Sequence, residues 1–177
     1  MTAAPRPTPP RRPGGFVLLA LVVAACGYTQ GSGLSARGVR TVALEVIGNE
    51  TFRQRLEVEL GAALARELPV SSDLVLADRR RADARLQVVF ATANEGTLVP
   101  GFSDPRDPTR RQFVREGAFE ATVQVRLVRP GGEVVLQRQV LDRTEFHAAL
   151  GEDLTTARAE LVDDLARKIA LALATDF

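Results

Sequence analysis

The spacing of apolar residues in the first half of the chain predicts a strand followed by an amphipathic helix. Arg40 to Ile47 (RTVALEVI) alternates Val or Leu with smaller or polar side chains, which is typical of a β-strand. Asn49 or Thr51 is expected to cap the helix that follows, and Pro69 to mark its end. The apolar stripe of that helix recurs every four residues, at Phe52, Leu56, Leu60, Leu64 and Leu68.

The middle of the chain predicts two further strands and then a loop. A short strand is expected at Leu74–Ala77 and a longer one at Ala84–Asn94, where apolar and polar side chains again alternate. Gly96–Gln112 contains three prolines and several charged side chains. It is therefore predicted to be a long irregular loop, of a length that is usually functional or mobile.

A long antiparallel hairpin and a closing helix complete the pattern. Apolar and polar side chains alternate from Phe119 to Leu127 and again from Val134 to Leu141, and the sequence PGGE between them is typical of a turn. The closing helix is expected to carry the acid-before-base pairs Asp163–Arg167 and Asp164–Lys168 on its solvated face. Its apolar stripe consists of Leu154, Leu161, Leu165, Ile169 and Ala172.

The predicted order of elements is therefore β-α-β-β-β-β-α. Two amphipathic helices need a partner for their apolar stripes, and one face of a four- to five-stranded sheet supplies it. The fold class predicted from the sequence is α+β: a two-layer sandwich in which both helices pack on one face of a mostly antiparallel or mixed sheet.

The first 25 residues are typical of a secretory signal. Residues 1–15 contain three arginines and no acidic residue, and Phe16–Ala25 is an uninterrupted apolar run. Ten residues are too few to cross a bilayer, which needs about 20, but they suit the apolar region of a signal peptide. Cleavage is expected between Ala25 and Cys26.

The sequence Val23-Ala24-Ala25-Cys26 resembles the lipobox of bacterial lipoproteins. In such proteins the cysteine thiol receives a diacylglycerol, the signal is cut before the cysteine, and the new amino group is acylated. Cys26 is the only cysteine, so no internal disulfide accounts for it; the alternative is an ordinary signal followed by an incidental cysteine. Gly27 stands where inner-membrane lipoproteins of enterobacteria carry Asp, which favours the periplasmic side of the outer membrane.

The remaining chain is organised as a linker and one domain. Residues 26–38 are rich in Gly and Ser and are predicted to be a lipidated flexible linker, and residues 39–177 a single domain. Removing residues 1–25 leaves 20 basic and 22 acidic side chains, a net charge of −2. Nucleic-acid binding is not expected, because the mature chain lacks a clustered excess of positive charge.

Side chains for catalysis are sparse, and an enzyme is not expected. His147 is the only histidine; it follows Phe146 at a predicted strand end, where it is expected to be structural or solvent-facing rather than paired with a nucleophile. One histidine and one cysteine are too few for a Cys/His metal site. The pairs Glu57/Glu59 and Asp163/Asp164 are two residues apart and adjacent on predicted helices, so they do not converge as general acid and base. No cofactor is predicted.

Two groups of arginines are candidates for phosphate binding. Guanidinium groups bind phosphate oxygens with two parallel hydrogen bonds, and a solvated charged turn is the alternative for each group. The hairpin also carries a face of uncharged hydrogen-bonding side chains, Thr122, Gln124, Gln137 and Gln139. Such a face suits contact with the water-lined wall of another protein, and an exposed sheet face has the same pattern. The arginine groups are Arg79, Arg80 and Arg81 in a turn between strands, and Arg106, Arg110 and Arg111 in the long loop.

The chain from Cys26 to the C-terminus resembles the LptE family of lipopolysaccharide-assembly lipoproteins. The resemblance is carried by CGYTQGSG, by RTVALEVIGNETFRQRLEVELGAALARELP, by RADARLQVVF, and by the hairpin and closing helix. It implies a small outer-membrane lipoprotein with two helices against a four-stranded sheet. It also implies that the protein plugs the large β-barrel LptD, helps that barrel assemble, and binds lipopolysaccharide (LPS) on its way to the outer leaflet. The Arg- and Pro-rich segment Gly96–Gln112 has no counterpart in the family pattern.

Two alternatives remain open from the sequence. The protein could be a lipoprotein adaptor of another envelope secretion or transport machine, since similar small α+β domains serve there. A membrane-tethered hydrolase is the weaker alternative, because the chain lacks His- and Cys-based chemistry.

Overall fold

The computed structural model describes residues 33–102 and 112–175, which lie within one compact unit, Gly31–Phe177. A short 3-10 turn at Ala148–Leu150 precedes the last helix. The helices of the described part are α1 (Gly33–Ala36), α2 (Leu56–Ser71) and α3 (Leu154–Ala174). The strands are β1 (Thr41–Leu44), β2 (Gly48–Asn49), β3 (Val75–Leu76), β4 (Ala84–Phe102), β5 (Gln112–Val128) and β6 (Val134–His147).

The strands form one mixed sheet in the order β3-β1-β4-β5-β6. β1 runs parallel to both β3 and β4, and β2 pairs with β4 further along, also in parallel. β4, β5 and β6 are antiparallel neighbours, and the predicted PGGE turn joins β5 to β6. The predicted α+β class with a mixed sheet is confirmed.

The core lies between one face of the sheet and the helices α2 and α3. The side chains of Leu56, Leu60, Leu64 and Leu68 on α2 are fully buried, and so are those of Leu161, Leu165 and Ile169 on α3. Their partners are the inward-facing side chains of the hairpin, where the predicted alternation from Phe119 to Leu127 is confirmed. The period of each pattern thus predicts which face is buried.

The start of α2 differs from the prediction. The helix begins at Leu56 after Arg55, whose φ of 71° lies in the left-handed region, and no side chain caps it. Asn49 and Thr51 instead hydrogen-bond each other, because the Asn49 Oδ1 accepts from both the N–H and the hydroxyl of Thr51. Phe52 therefore lies outside the helix, and its side chain is fully exposed rather than part of the stripe.

Two expectations about the helix ends and ion pairs are also wrong. α2 continues past Pro69 to Ser71, and the Leu68 carbonyl then accepts hydrogen bonds from the N–H and hydroxyl of Ser72.

The ion pairs predicted within α3, Asp163–Arg167 and Asp164–Lys168, do not form between these described residues. Instead, Asp163 pairs with Arg66 of α2 (3.1 Å), Asp164 with Arg167 (3.4 Å), and Lys168 with Asp142 of β6 (2.7 Å).

The segment predicted as a loop, Gly96–Gln112, is a strand up to Phe102. β4 and β5 extend beyond the last residue that pairs with β6, and form a two-stranded arm at residues 100–102 and 112–114. Pro100 fits in this arm because it lies beside a register shift of the ladder, where proline is tolerated. The ring of Phe113 covers Gly101 on the paired strand, where a Cβ would overlap it. Residues 103–111 lie outside the described part.

The first strand is shorter than predicted, and part of the predicted linker is folded. β1 ends at Leu44, so the predicted alternation stops early and the Val46 side chain is 97% exposed. Residues 33–36, within the predicted linker 26–38, form the helix α1. The side chain of Leu34 is fully buried in the main core, so the described part of the linker, from Gly33, packs against the body.

Candidate functional site

The face of the sheet opposite α2 and α3 presents uncharged hydrogen-bonding side chains. Gln124 and Gln139 lie opposite each other on β5 and β6, and both are exposed. Gln137 is exposed on the same face, opposite Arg126, whereas Thr122 is only 6% exposed. Three of the four predicted polar-face residues thus form an exposed patch, which we call the outer glutamine patch (Gln124, Gln137, Gln139).

A rigid turn next to β4 borders an open groove of about 600 Å3. The Asn49 amide nitrogen donates to the Arg53 carbonyl (2.7 Å) and to the Glu57 carboxylate (2.6 Å), and so fixes the turn. The Arg53 guanidinium pairs with Glu95 at 2.9 Å and lies 5.9 Å from the centre of the Phe119 ring. The groove is shallow and lined by both charged and apolar side chains, so it favours surface contact over an enclosed ligand.

The first arginine group, Arg79–Arg81, lies in the exposed turn between β3 and β4, as predicted. The Arg79 guanidinium is 3.4 Å from the Glu45 carboxylate, which also lies 3.5 Å from Arg85. Within the described part of the chain, the side chains of Arg80 and Arg81 make no hydrogen bond or ion pair, and both residues are exposed; the backbone N–H of Arg81 donates to the Asp78 carbonyl at 2.8 Å. Two of the three predicted arginines thus remain available for an anion.

Asp83 fastens this turn to the beginning of β1. Its Oδ2 accepts hydrogen bonds from the backbone N–H groups of Arg40 (3.0 Å) and Thr41 (2.9 Å), and from the Thr41 hydroxyl (2.8 Å). These bonds, first that from the Arg40 N–H, lower the pKa of Asp83 below its ordinary value of 3.8. The carboxylate therefore ties the arginine turn to a segment more than 40 residues earlier in the chain.

Asp83→Asn is expected to lower the urea midpoint of unfolding at pH 7. Because the pKa of Asp83 is depressed in the folded state, its contribution is complete above the unfolded value of 3.8 and is lost as the pH falls through the folded value. The difference from wild type should therefore shrink between pH 5 and pH 2, which urea titrations followed by circular dichroism would measure. Asp78→Asn, an exposed position in the same turn, is the control; an equal loss for both variants would contradict the assignment.

The remaining predicted site residues lie outside the described part. They are Cys26, the lipobox residues Val23, Ala24 and Ala25 with the cleavage position, and the second arginine group Arg106, Arg110 and Arg111. The two arginine groups flank β4 in the sequence: the first ends three residues before Ala84, and the second begins four residues after Phe102.

The acidic pairs and the histidine have separate partners in the described structure. Glu57 bonds Asn49, and Glu59 bonds Arg158 of α3 through both carboxylate oxygens at 2.9 Å. Hydrogen bonds from its own backbone N–H and from Asn49 lower the pKa of Glu57, whereas a general acid needs a raised one. His147 lies 4.0 Å from Glu116 at the end of β6, and the described residues contain no cluster of three or more metal-ligating side chains.

The fold and its surface define a class of protein: a two-layer α+β domain whose sheet is covered by helices on one face and open on the other. The family model described as "LptE: Lipopolysaccharide-assembly" matches residues 39–175. The chain therefore belongs to the LptE family, a family of non-enzymatic assembly lipoproteins. No curated protein sequence matches it significantly.

Solved structures with a similar fold include two that have TM-scores of 0.51 and 0.50. PelC from Paraburkholderia phytofirmans, crystallised as a dodecamer, is 17% identical with a TM-score of 0.51, over 83% of this chain and 96% of that chain. The uncharacterised lipoprotein B from Nitrosomonas europaea is 14% identical with a TM-score of 0.50, over 77% and 83%. At these identities the likeness concerns the fold alone. Among the described helices, none is long and apolar enough to cross a membrane.

Proposed function

We propose that this protein is an outer-membrane lipoprotein that plugs and helps assemble an LptD-like β-barrel and binds LPS during its insertion. The observation that carries the proposal is the family match, which spans the whole of the described domain from Val39 onward. The lipid is attached at Cys26 after cleavage behind Ala25, and it holds the domain on the periplasmic side of the membrane. The role is non-enzymatic.

The outer glutamine patch supports the docking part of the proposal. The inner wall of a large barrel is polar and wet, and amide side chains both donate and accept hydrogen bonds with such a wall or with bridging water. Because the helices occupy the other face of the sheet, the patch can contact a partner without rearrangement of the core. This geometry suits a rigid domain inserted into a larger protein.

The shallow surface supports LPS binding through the headgroup. The grooves of the described surface are open to solvent, so contact with charged headgroups is favoured over enclosure of acyl chains. Arginine side chains are the natural partners of phosphates on lipid A and the inner core. We assign that contact to Arg106, Arg110 and Arg111. The Arg79–Arg81 turn is a second phosphate-binding candidate, for phosphates of LPS or of membrane phospholipids.

Co-purification from detergent extracts tests the docking role. Purification of the wild-type protein should recover a large outer-membrane barrel, with one barrel per copy of the lipoprotein. Gln124→Glu/Gln139→Glu places two negative charges on the outer glutamine patch, of which only one can pair with the neighbouring Arg126. The variant should reduce recovery of the barrel at least tenfold, since desolvating an unpaired charge costs several kcal/mol. Ala62→Glu/Ala159→Glu, at exposed positions of α2 and α3, adds the same charge elsewhere and should leave recovery unchanged. Isolation of the wild type without a barrel would contradict the proposal.

A second candidate function is an adaptor in another envelope export machine. The fold similarity to PelC, which crystallised as a dodecamer, favours it. Native mass spectrometry of the purified complex separates the two candidates, because an adaptor of this type would appear as an oligomer of identical chains and a plug as one copy bound to one barrel.

A further inference from the structure

The N-terminal segment joins the body at the same end of the sheet as the arginine turn. α1 begins at Gly33, and the Leu34 carbonyl accepts a hydrogen bond from the N–H of Val39 at 2.9 Å. The next two residues, Arg40 and Thr41, donate their N–H groups to Asp83, two residues beyond Arg81. A short series of hydrogen bonds therefore connects the point where the linker enters the body with the turn that carries Arg80 and Arg81.

The strand directions give the same placement. β1, β3 and β4 all start at this end of the sheet, because Thr41 pairs with Val75 and Val42 with Ala84. β5 ends here and β6 begins here. The two-stranded arm lies at the opposite end, about 18 residues further along β4, or roughly 60 Å at about 3.3 Å per residue. The linker end and the arm end are thus widely separated.

The chain between Cys26 and the body limits how far apart the two can be. Only residues 27–32 lie between Cys26 and Gly33, and the seven Cα–Cα steps from Cys26 to Gly33 span at most roughly 25 Å when fully extended. A lipid on Cys26 therefore keeps the linker end of the sheet, and the arginine turn with it, close to the leaflet that holds the anchor.

The charges of the turn suit contact with anionic headgroups. Asp83 keeps its negative charge while it accepts three hydrogen bonds, and Glu45 is shared between Arg79 and Arg85. The four arginines Arg79, Arg80, Arg81 and Arg85 thus exceed the three carboxylates Glu45, Asp78 and Asp83 by one charge. Arg80 and Arg81 are exposed and unpaired within the described residues, with the exposed Asp78 as the nearby acid in the sequence. The turn therefore presents excess positive charge, which an anionic surface attracts within about one Debye length, roughly 8 Å at physiological salt.

We infer that Arg80 and Arg81 bind the phosphates of anionic phospholipids in the leaflet that holds the lipid anchor, and thereby orient the domain with its linker end toward the membrane. The inference rests on the lipidation of Cys26 in the proposed function. The phosphates bound by this turn are thereby assigned to membrane phospholipids rather than to LPS. The arm end of β4 and β5 then points away from that leaflet.

Hydrogen exchange of the full-length lipoprotein tests the inference. The protein is reconstituted into vesicles of phosphatidylcholine alone or of phosphatidylcholine with phosphatidylglycerol, and exchange is measured at residues 77–83. Exchange should be about fivefold slower or more in the anionic vesicles, since each arginine near such a surface strengthens contact by about that factor. High salt should remove the difference. Equal exchange in both vesicle types would overturn the inference.

Variants separate this contact from general electrostatics. Arg80→Gln/Arg81→Gln should abolish the difference between vesicle types. Arg66→Gln/Arg143→Gln removes the same charge from the exposed part of α2 and from β6 and should retain the difference. Slower exchange on addition of LPS to the protein in neutral detergent, without an effect of phosphatidylglycerol vesicles, would reassign the turn to LPS and overturn the inference.

Co-purification of the barrel makes failure of the inference distinguishable from failure of the proposed function. Arg80→Gln/Arg81→Gln should still be lipidated and should still recover the barrel, because the turn lies outside the outer glutamine patch. If the wild type recovers the barrel but shows no effect of anionic lipid, the inference alone is wrong. If the wild type floats with vesicles and shows the lipid effect but recovers no barrel, the plug role is wrong and the membrane contact stands.

Discussion

Replacing Phe90 with alanine is expected to lower the free energy of unfolding by about 3–5 kcal/mol, the usual cost of removing a buried aromatic ring. Its side chain is fully buried in the core between the sheet and the helices. Truncation loses the transfer free energy of the ring and leaves a cavity that close-packed neighbours fill only in part. Urea unfolding of the full chain in neutral detergent, followed by circular dichroism, measures the loss.

Phe52→Ala is the matched control, because it makes the same chemical change at a fully exposed position. It should change the free energy of unfolding by less than about 0.5 kcal/mol, as surface substitutions do. The two phenylalanines are equally apolar, so the comparison isolates the effect of burial. Equal losses in the two variants would show that Phe52 belongs to the α2 stripe, as its spacing predicts, and would contradict the structure.

This pair of residues shows where sequence periodicity succeeds and where it fails. Phe90 lies in a long strand with one buried face. Such a strand repeats the alternation of apolar and polar residues over enough positions for its buried face to be predicted from the sequence. Phe52 has the correct spacing from Leu56, but Asn49 uses its side chain to close a turn before the helix begins. Local hydrogen bonds of Asn and Thr side chains compete with helix formation, and spacing alone does not report which of the two prevails.

Ion pairs were the least predictable feature. The spacing of Asp164 and Lys168 favours a pair within α3, yet Lys168 reaches Asp142, which is only 6% exposed on β6. A buried carboxylate gains more from a cation than an exposed one does, because water screens it less. The preference depends on how the helix packs against the sheet, and that relationship is not encoded in the local sequence.

The candidate site was only partly predictable for a similar reason. The sequence identifies Arg79, Arg80 and Arg81 as an exposed turn and Gln124, Gln137 and Gln139 as one face of a hairpin. It does not indicate that Asp83 bonds Arg40 and Thr41 across more than 40 residues of chain. That contact brings the arginine turn to the linker end of the sheet, and it depends on the parallel pairing of β1 and β4.

Cys26→Ser is expected to abolish acylation and leave the precursor uncleaved. Transfer of a diacylglycerol needs a nucleophilic sulfur, and a hydroxyl does not ionise at neutral pH as a thiol partly does. Since each buried methylene contributes about 0.8 kcal/mol to membrane binding, several acyl chains together make attachment effectively permanent, and their loss removes it. Metabolic labelling with palmitate and the mass of the N-terminal peptide measure both steps.

Gly27→Asp is the matched control for this variant, because it changes the neighbouring residue and leaves the thiol in place. In an enterobacterial host it should be acylated and cleaved normally, but retained in the inner membrane. Separation of the two membranes by density then distinguishes loss of the anchor from misdirection of an intact one. Unchanged acyl labelling in Cys26→Ser would exclude Cys26 as the anchor. It would also remove the short tether that places Arg80 and Arg81 beside the membrane.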